Sequence, residues 1–144
     1  MNKRLSIIIQ ILLGLLAFAG GVYAALTPAN SVARWYNIDD AFYYYKVAQN
    51  VWAGYGFSFD KINLSNGFHP LWMVICLGVF WLTKFNLLLP LRVLILVSSL
   101  CNAITCVILF RFLIKHLHPC AAIIGVIIWG VYYPIYNTVV AHGM

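Results

Sequence analysis

Every carboxylate side chain of this 144-residue chain falls in one stretch: Asp39, Asp40 and Asp60. The first two are adjacent and open the aromatic run Ala41-Phe42-Tyr43-Tyr44-Tyr45, and the stretch continues to Asn66-Gly67-Phe68-His69-Pro70-Leu71-Trp72. In so apolar a chain, a carboxylate at the boundary of water and lipid either solvates itself or acts on a substrate that arrives there, as a proton acceptor. At a helix start the same residue type has a structural use, capping free N–H groups at the positive pole. Successive helix residues point roughly 100° apart, so Asp39 and Asp40 are not expected to share one role.

The elements that must position these groups belong to a membrane protein. The chain is 64% hydrophobic and 8% charged, more apolar surface than one small soluble core can hide. Its formal charge of +6 comes from bases placed singly or in pairs at the ends of apolar runs, where topology signals sit. No basic face is formed, so nucleic acid is not an expected partner. Cys76, Cys101, Cys106 and Cys120 lie in or beside apolar runs without a CxxC spacing, and are read as small buried hydrophobes.

Leu5 to Leu26, preceded by Lys3-Arg4, is long enough to cross a hydrocarbon core of about 30 Å. It reads as a retained signal-anchor with its N-terminus in the cytoplasm, because its apolar region exceeds the roughly 7–15 residues of a signal peptide. Beyond it, Asn37 or Asp39 can cap a helix over about 40–53, stopped by Gly54, with Ala41, Tyr44, Tyr45, Ala48, Val51 and Trp52 on one apolar stripe. That helix is expected to lie along the membrane surface. Tyr55 to Asp60 reads as a short extended piece and Asn66-Gly67 as a tight turn.

Leu71 to Leu82 is too short for a full span and suits a second interfacial helix. With that helix outside, a span near 91–114 delivers Arg111, Lys115, His116 and His118 to the cytoplasm, as the positive-inside bias requires. The expected fold is therefore all-α and integral to the plasma (inner) membrane. It has about three transmembrane helices, near 5–26, 91–114 and 119–137, and an outer loop 27–90 carrying two interfacial helices. So few spans leave wide apolar faces for lipid, further helices or other subunits.

The order of these features resembles the start of the GT-C superfamily of polytopic glycosyltransferases. It is most similar to the branch of dolichyl-phosphate-mannose:protein mannosyltransferases and lipid A aminoarabinose transferases. The resemblance rests on the signal-anchor, on Asp39-Asp40-Ala41-Phe42-Tyr43-Tyr44, on Gly54-Tyr55-Gly56-Phe57, and on Asn66-Gly67-Phe68-His69-Pro70-Leu71-Trp72 entering an apolar helix. It covers most of this chain but only the N-terminal part of such an enzyme, so the 144 residues alone are expected to be inactive.

The resemblance implies transfer of a sugar from a polyprenyl-phosphate donor to a hydroxyl acceptor at the outer face. Asp39 would be the general base, with Asp40 orienting the acceptor or supporting the site. His69 would sit near the donor phosphate, and Arg92 and Lys46 are candidates to bind it, with snorkelling or solvation as their plain alternative. Tyr44 joins the donor-binding set, although the cluster Tyr43, Tyr44, Tyr45, Trp52 and Phe57 reads as interfacial packing rather than sugar stacking. Asp60 is either a polar contact or a loop residue. No cofactor is required. A divalent metal is possible but not indicated, since His116 and His118 do not share a helix face and have no third ligand near. Asn63-Leu64-Ser65 matches the N-glycosylation pattern, a frequent chance occurrence. The alternative from another class is a non-catalytic small membrane protein, or pseudo-enzyme subunit, that binds lipid or a partner.

Overall fold

The computed structural model describes residues 2–35, 39–83, 86 and 88–131, with side chains at 33–35, 39, 40 and 131 outside that description. Lys84 and the expected end of the third span, to residue 137, also lie outside the described residues. The described chain is all-helical: α1 (Lys3–Leu26), α2 (Ala29–Trp35), α3 (Asp39–Trp52), α4 (Pro70–Leu82), α5 (Leu89–Leu113) and α6 (Pro119–Val131). Among the described residues there is no strand, only an isolated antiparallel bridge between Ser58 and Leu64.

Local chemistry sets the ends of the long helices. The Asn2 side chain accepts from the Arg4 N–H at the start of α1, and the Thr27 hydroxyl donates to the Ala24 carbonyl at its end. Pro28 then bars continuation, because it has no N–H to donate. Asn86 Oδ1 accepts from the N–H groups of Leu88 and Leu89, leading the chain into α5. At 24 and 25 residues, α1 and α5 are long and apolar enough to cross a membrane. With 13 residues each, α4 and the described α6 reach about 20 Å at about 1.5 Å per residue, short of that thickness.

α1 and α5 pack antiparallel, in contact from Gln10 to the end of α1. Gln10 meets Arg111, Gly14 faces Val107 and Ala103, Gly21 faces Ser99 and Ile95, and Thr27 meets Arg92. Gly21 marks the tightest point: a Cβ there would lie 1.7 Å from Ser99 Oγ, so only glycine lets the backbones approach this far. α6 turns back against α5, with Gly125 facing Leu113 and Gly130 facing Cys106. One buried cluster joins Leu13, Ala17, Ala103, Cys106, Phe110, Ala122 and Val126 of these three helices. A second gathers Ala24 and Val32 with Tyr44 and Ala48 of α3, Met73 and Phe80 of α4, and Leu94 and Ile95 of α5.

The structure departs from the sequence reading at four places. α2 was not expected, and it forms because Pro28 starts a helical turn whose carbonyl accepts from Ser31 and Val32, with Val32 fully buried. The turn expected at Asn66-Gly67 forms earlier, where Asp60 Oδ1 accepts from the N–H groups of Ile62 and Asn63. Cys76 and Cys106 are buried as expected, but Cys101 on α5 and Cys120 on α6 are exposed. Trp52 does not close the α3 stripe. The residue is 45% exposed, with its Nε1 donating to the Leu77 carbonyl at 3.0 Å and its ring centroid 6.5 Å from that of Trp81.

Candidate functional site

The candidate site is the unit made by α3, the loop after it and the start of α4. α3 ends where Gly54 adopts φ +87°, with the Tyr55 N–H returning to the Asn50 carbonyl and the Gly54 N–H to that of Val51. This is a Schellman ending, which needs a residue at ease in the left-handed region, and it turns the chain sharply back along the helix.

The returning loop is held by α3 side chains. Asn50, 2% exposed, donates from Nδ2 to the carbonyls of Ser58 and Phe59, both at 2.9 Å. The Tyr43 hydroxyl bonds the Ser65 hydroxyl, and the Tyr43 ring stacks on Phe59 at 5.5 Å. Phe57 stacks on Phe68 at 5.4 Å, which ties the two arms of the loop together. Asp60 closes the loop tip through Ile62 and Asn63. These bonds stabilise its ionised form and bring the carboxyl pKa down to about 2, the Asn63 N–H being the strongest influence.

Tyr44 links the two halves of the motif. Its side chain is 1% exposed, and its hydroxyl accepts from the His69 N–H at 2.8 Å. The backbone before Pro70 is thereby fixed on α3, and α4 begins with Pro70 at its first turn. Neighbouring Tyr45 is buried against Phe80, and burial pushes its hydroxyl pKa well above the usual phenol range.

The expected site residues are distributed as follows. Asp39 and Asp40 form the first turn of α3, at its positive pole, and their side chains lie outside the described residues. His69 is exposed at the N-cap of α4, and its side chain makes no capping bond. Tyr44 is enclosed rather than presented at a surface. Lys46 is exposed on α3, where it lines a hollow of about 380 Å³ with Gln49, Asn50, Trp52 and Lys61. Arg92 lies at the end of α5 nearest α2, with Nη2 donating to the Thr27 carbonyl at 3.1 Å. Its Nε is buried and has no hydrogen-bond partner among the described residues. The structure thus joins Tyr44 to His69 and groups Lys46 with Lys61, while Arg92 bonds to the C-terminal end of α1.

Two contributors escaped the sequence reading. Asn50 follows Tyr44 and Val47 at steps of three, so it places an amide on the buried stripe, the one signal that it holds the loop. Lys61 sits at φ 69°, a costly backbone for a residue with a Cβ, with Nζ 4.7 Å from the Tyr55 ring centroid. Among the described residues no group of three or more His, Cys, Asp or Glu is placed to hold a metal ion. Compared with protein-family models, curated proteins and solved structures, the chain gives no match.

Proposed function

We propose that this chain is the N-terminal membrane module of a GT-C-like glycosyltransferase that takes a sugar from a polyprenyl-phosphate donor at the outer membrane face. The observation that carries the reading is the union of its two motif halves. The helix opened by Asp39-Asp40 and the His69-Pro70 segment form one unit through the Tyr44 hydroxyl. In this reading the acceptor hydroxyl attacks the anomeric carbon, and the bond to the phosphate oxygen breaks. The electron pair leaves with the polyprenyl phosphate, and the acceptor's proton passes to Asp39. The donor brings a good leaving group, so the protein need supply only cations or hydrogen-bond donors for the phosphate. Arg92, with an unpartnered buried Nε, and exposed His69 and Lys46 have the chemistry for that.

The membrane arrangement belongs to the same proposal. α1, α5 and a segment near 119–137 that begins with α6 are the three spans, and α3 and α4 lie at the outer surface. The apolar exposed faces of α1 and α5, such as Leu12, Leu16, Ile104 and Ile108, support burial in lipid. The enzyme would act in the plasma (inner) membrane, with the N-terminus in the cytoplasm. Cysteine-accessibility labelling is expected to find position 84 outside and position 115 inside, and the reverse at position 84 would remove the interfacial placement of α4.

The chemical test uses the native gene product in proteoliposomes with radiolabelled polyprenyl-phosphate hexoses. Asp39→Asn is expected to lower transfer on the order of 10²–10⁴-fold, with Asp40→Asn less affected. Near wild-type turnover by a folded Asp39→Asn protein refutes the base assignment, and absence of transfer from every donor refutes the glycosyltransferase reading.

A further inference from the structure

At the end of the α1–α5 pair remote from the candidate site, the two helices leave a groove of about 460 Å³. Its walls are almost wholly aliphatic or aromatic, with Leu15 and Phe18 from α1 and Leu100, Ile104 and Ile108 from α5. One mouth is polar. There Arg111 Nε donates to Gln10 Oε1 at 2.7 Å, and Gln10, 9% exposed, donates in turn to the Ser6 hydroxyl at 3.1 Å. The guanidinium is therefore held in place at the groove's end while its side chain stays exposed.

The charge around this mouth is one-sided. Lys3 and Arg4 begin α1 and Lys115, His116 and His118 follow α5 at the same end, while every acidic side chain lies at 39–60. Along α5, Arg111 and Leu100 are separated by about 16 Å at about 1.5 Å per residue. That is the thickness of one leaflet, half of a hydrocarbon core of about 30 Å. A ligand that fits has an anionic head and an apolar tail one leaflet long. We infer that the groove binds an anionic phospholipid, with an acyl chain between Leu15, Phe18 and Ile104 and the phosphate on Arg111. Basic pockets between membrane helices hold acidic headgroups in this way, and a planar guanidinium suits phosphate geometry.

The inference rests on the membrane placement proposed above but not on sugar transfer. Native mass spectrometry of the 144-residue chain, released from nanodiscs of equimolar phosphatidylglycerol and phosphatidylcholine, tests it. The chain is expected to retain phosphatidylglycerol about 10-fold in preference, the value of one charge-assisted contact. Arg111→Gln is expected to abolish the preference and Arg111→Lys to keep part of it. Ile104→Trp, which fills the groove while leaving Arg111 intact, is expected to lose the retained lipid. Equal retention of both lipids, or a preference that survives Arg111→Gln, overturns the inference. So does a dimer that Ile104→Trp dissociates, since a second copy would then be the occupant. Alkaline carbonate extraction separates the two readings: a chain released by carbonate was never integral, whereas a retained chain without lipid preference refutes the lipid site alone.

Discussion

The buried hydroxyl of Tyr44 accepts the His69 N–H at 2.8 Å, across 25 residues of sequence. Tyr44→Phe keeps the ring and its packing but strands that N–H. The expected cost is about 1 kcal/mol of stability, together with faster hydrogen exchange at the His69 amide. Unchanged exchange at His69 in the variant would show that the bond does not hold the segment.

Asn50 carries the loop on one amide nitrogen bonded to two carbonyls. Asn50→Ala leaves the Ser58 and Phe59 carbonyls without that donor, and a loss of about 1–3 kcal/mol is expected. Limited proteolysis should then cut within 55–65 well before it reaches the helices. A digestion pattern like that of the unaltered chain would contradict the role given to Asn50.

Gly21 and Ser99 occupy the closest crossing of α1 and α5, where an added Cβ would meet Ser99 Oγ at 1.7 Å and Ser99 Cβ at 2.2 Å. Gly21→Ala is expected to force the helices apart at a cost of about 1–3 kcal/mol. Ser99→Gly on that background removes the obstructing atoms, so part of the loss should return. Strictly additive effects of the two substitutions in thermal unfolding would mean that the helices do not meet there.

Asp60 gives a pH dependence whose sign is determined by its hydrogen bonds. Its folded pKa, about 2, lies below the ordinary carboxylate value of about 3.9. Its contribution to the order of the loop is therefore complete above the ordinary value and is lost as pH falls through about 2. An NMR titration of the Asp60 carboxyl should show the low midpoint in the native chain, and a midpoint raised only partway toward the ordinary value when Asn63 is replaced by Ala, which removes the Nδ2 bond to Asp60 Oδ2 but leaves both main-chain N–H donors. A native midpoint already at the ordinary value would dispose of the Asp60 turn.

The parts of this fold legible in sequence were those ruled by length and periodicity. Lys3-Arg4 before an apolar run gave α1, the short run after Pro70 gave α4, and the spacing of Ala41, Tyr44, Tyr45 and Ala48 gave the buried face of α3. Gly54 was legible because few other residues end a helix in the left-handed region. The seven-residue α2 escaped, since Val32, the one buried side chain among its described residues, sets no period. In the site, residue types pointed to Tyr44 and His69 but not to how they meet: a tyrosine hydroxyl bonding a backbone N–H leaves no trace in spacing. Asp60 looked like one more polar loop residue because its partners, the N–H groups of Ile62 and Asn63, belong to the main chain.

The Gly21–Ser99 crossing also orders events during synthesis. On the order of 80 residues separate the two positions, so at about 5–20 residues per second α1 is complete on the order of 10 s before its partner surface on α5 exists. Through that interval the small-residue face of α1 lacks the α5 surface it packs against. The helix pair is thus assembled from its far side, by the late arrival of α5, and a pause in translation between residues 26 and 99 lengthens the time α1 spends unpaired.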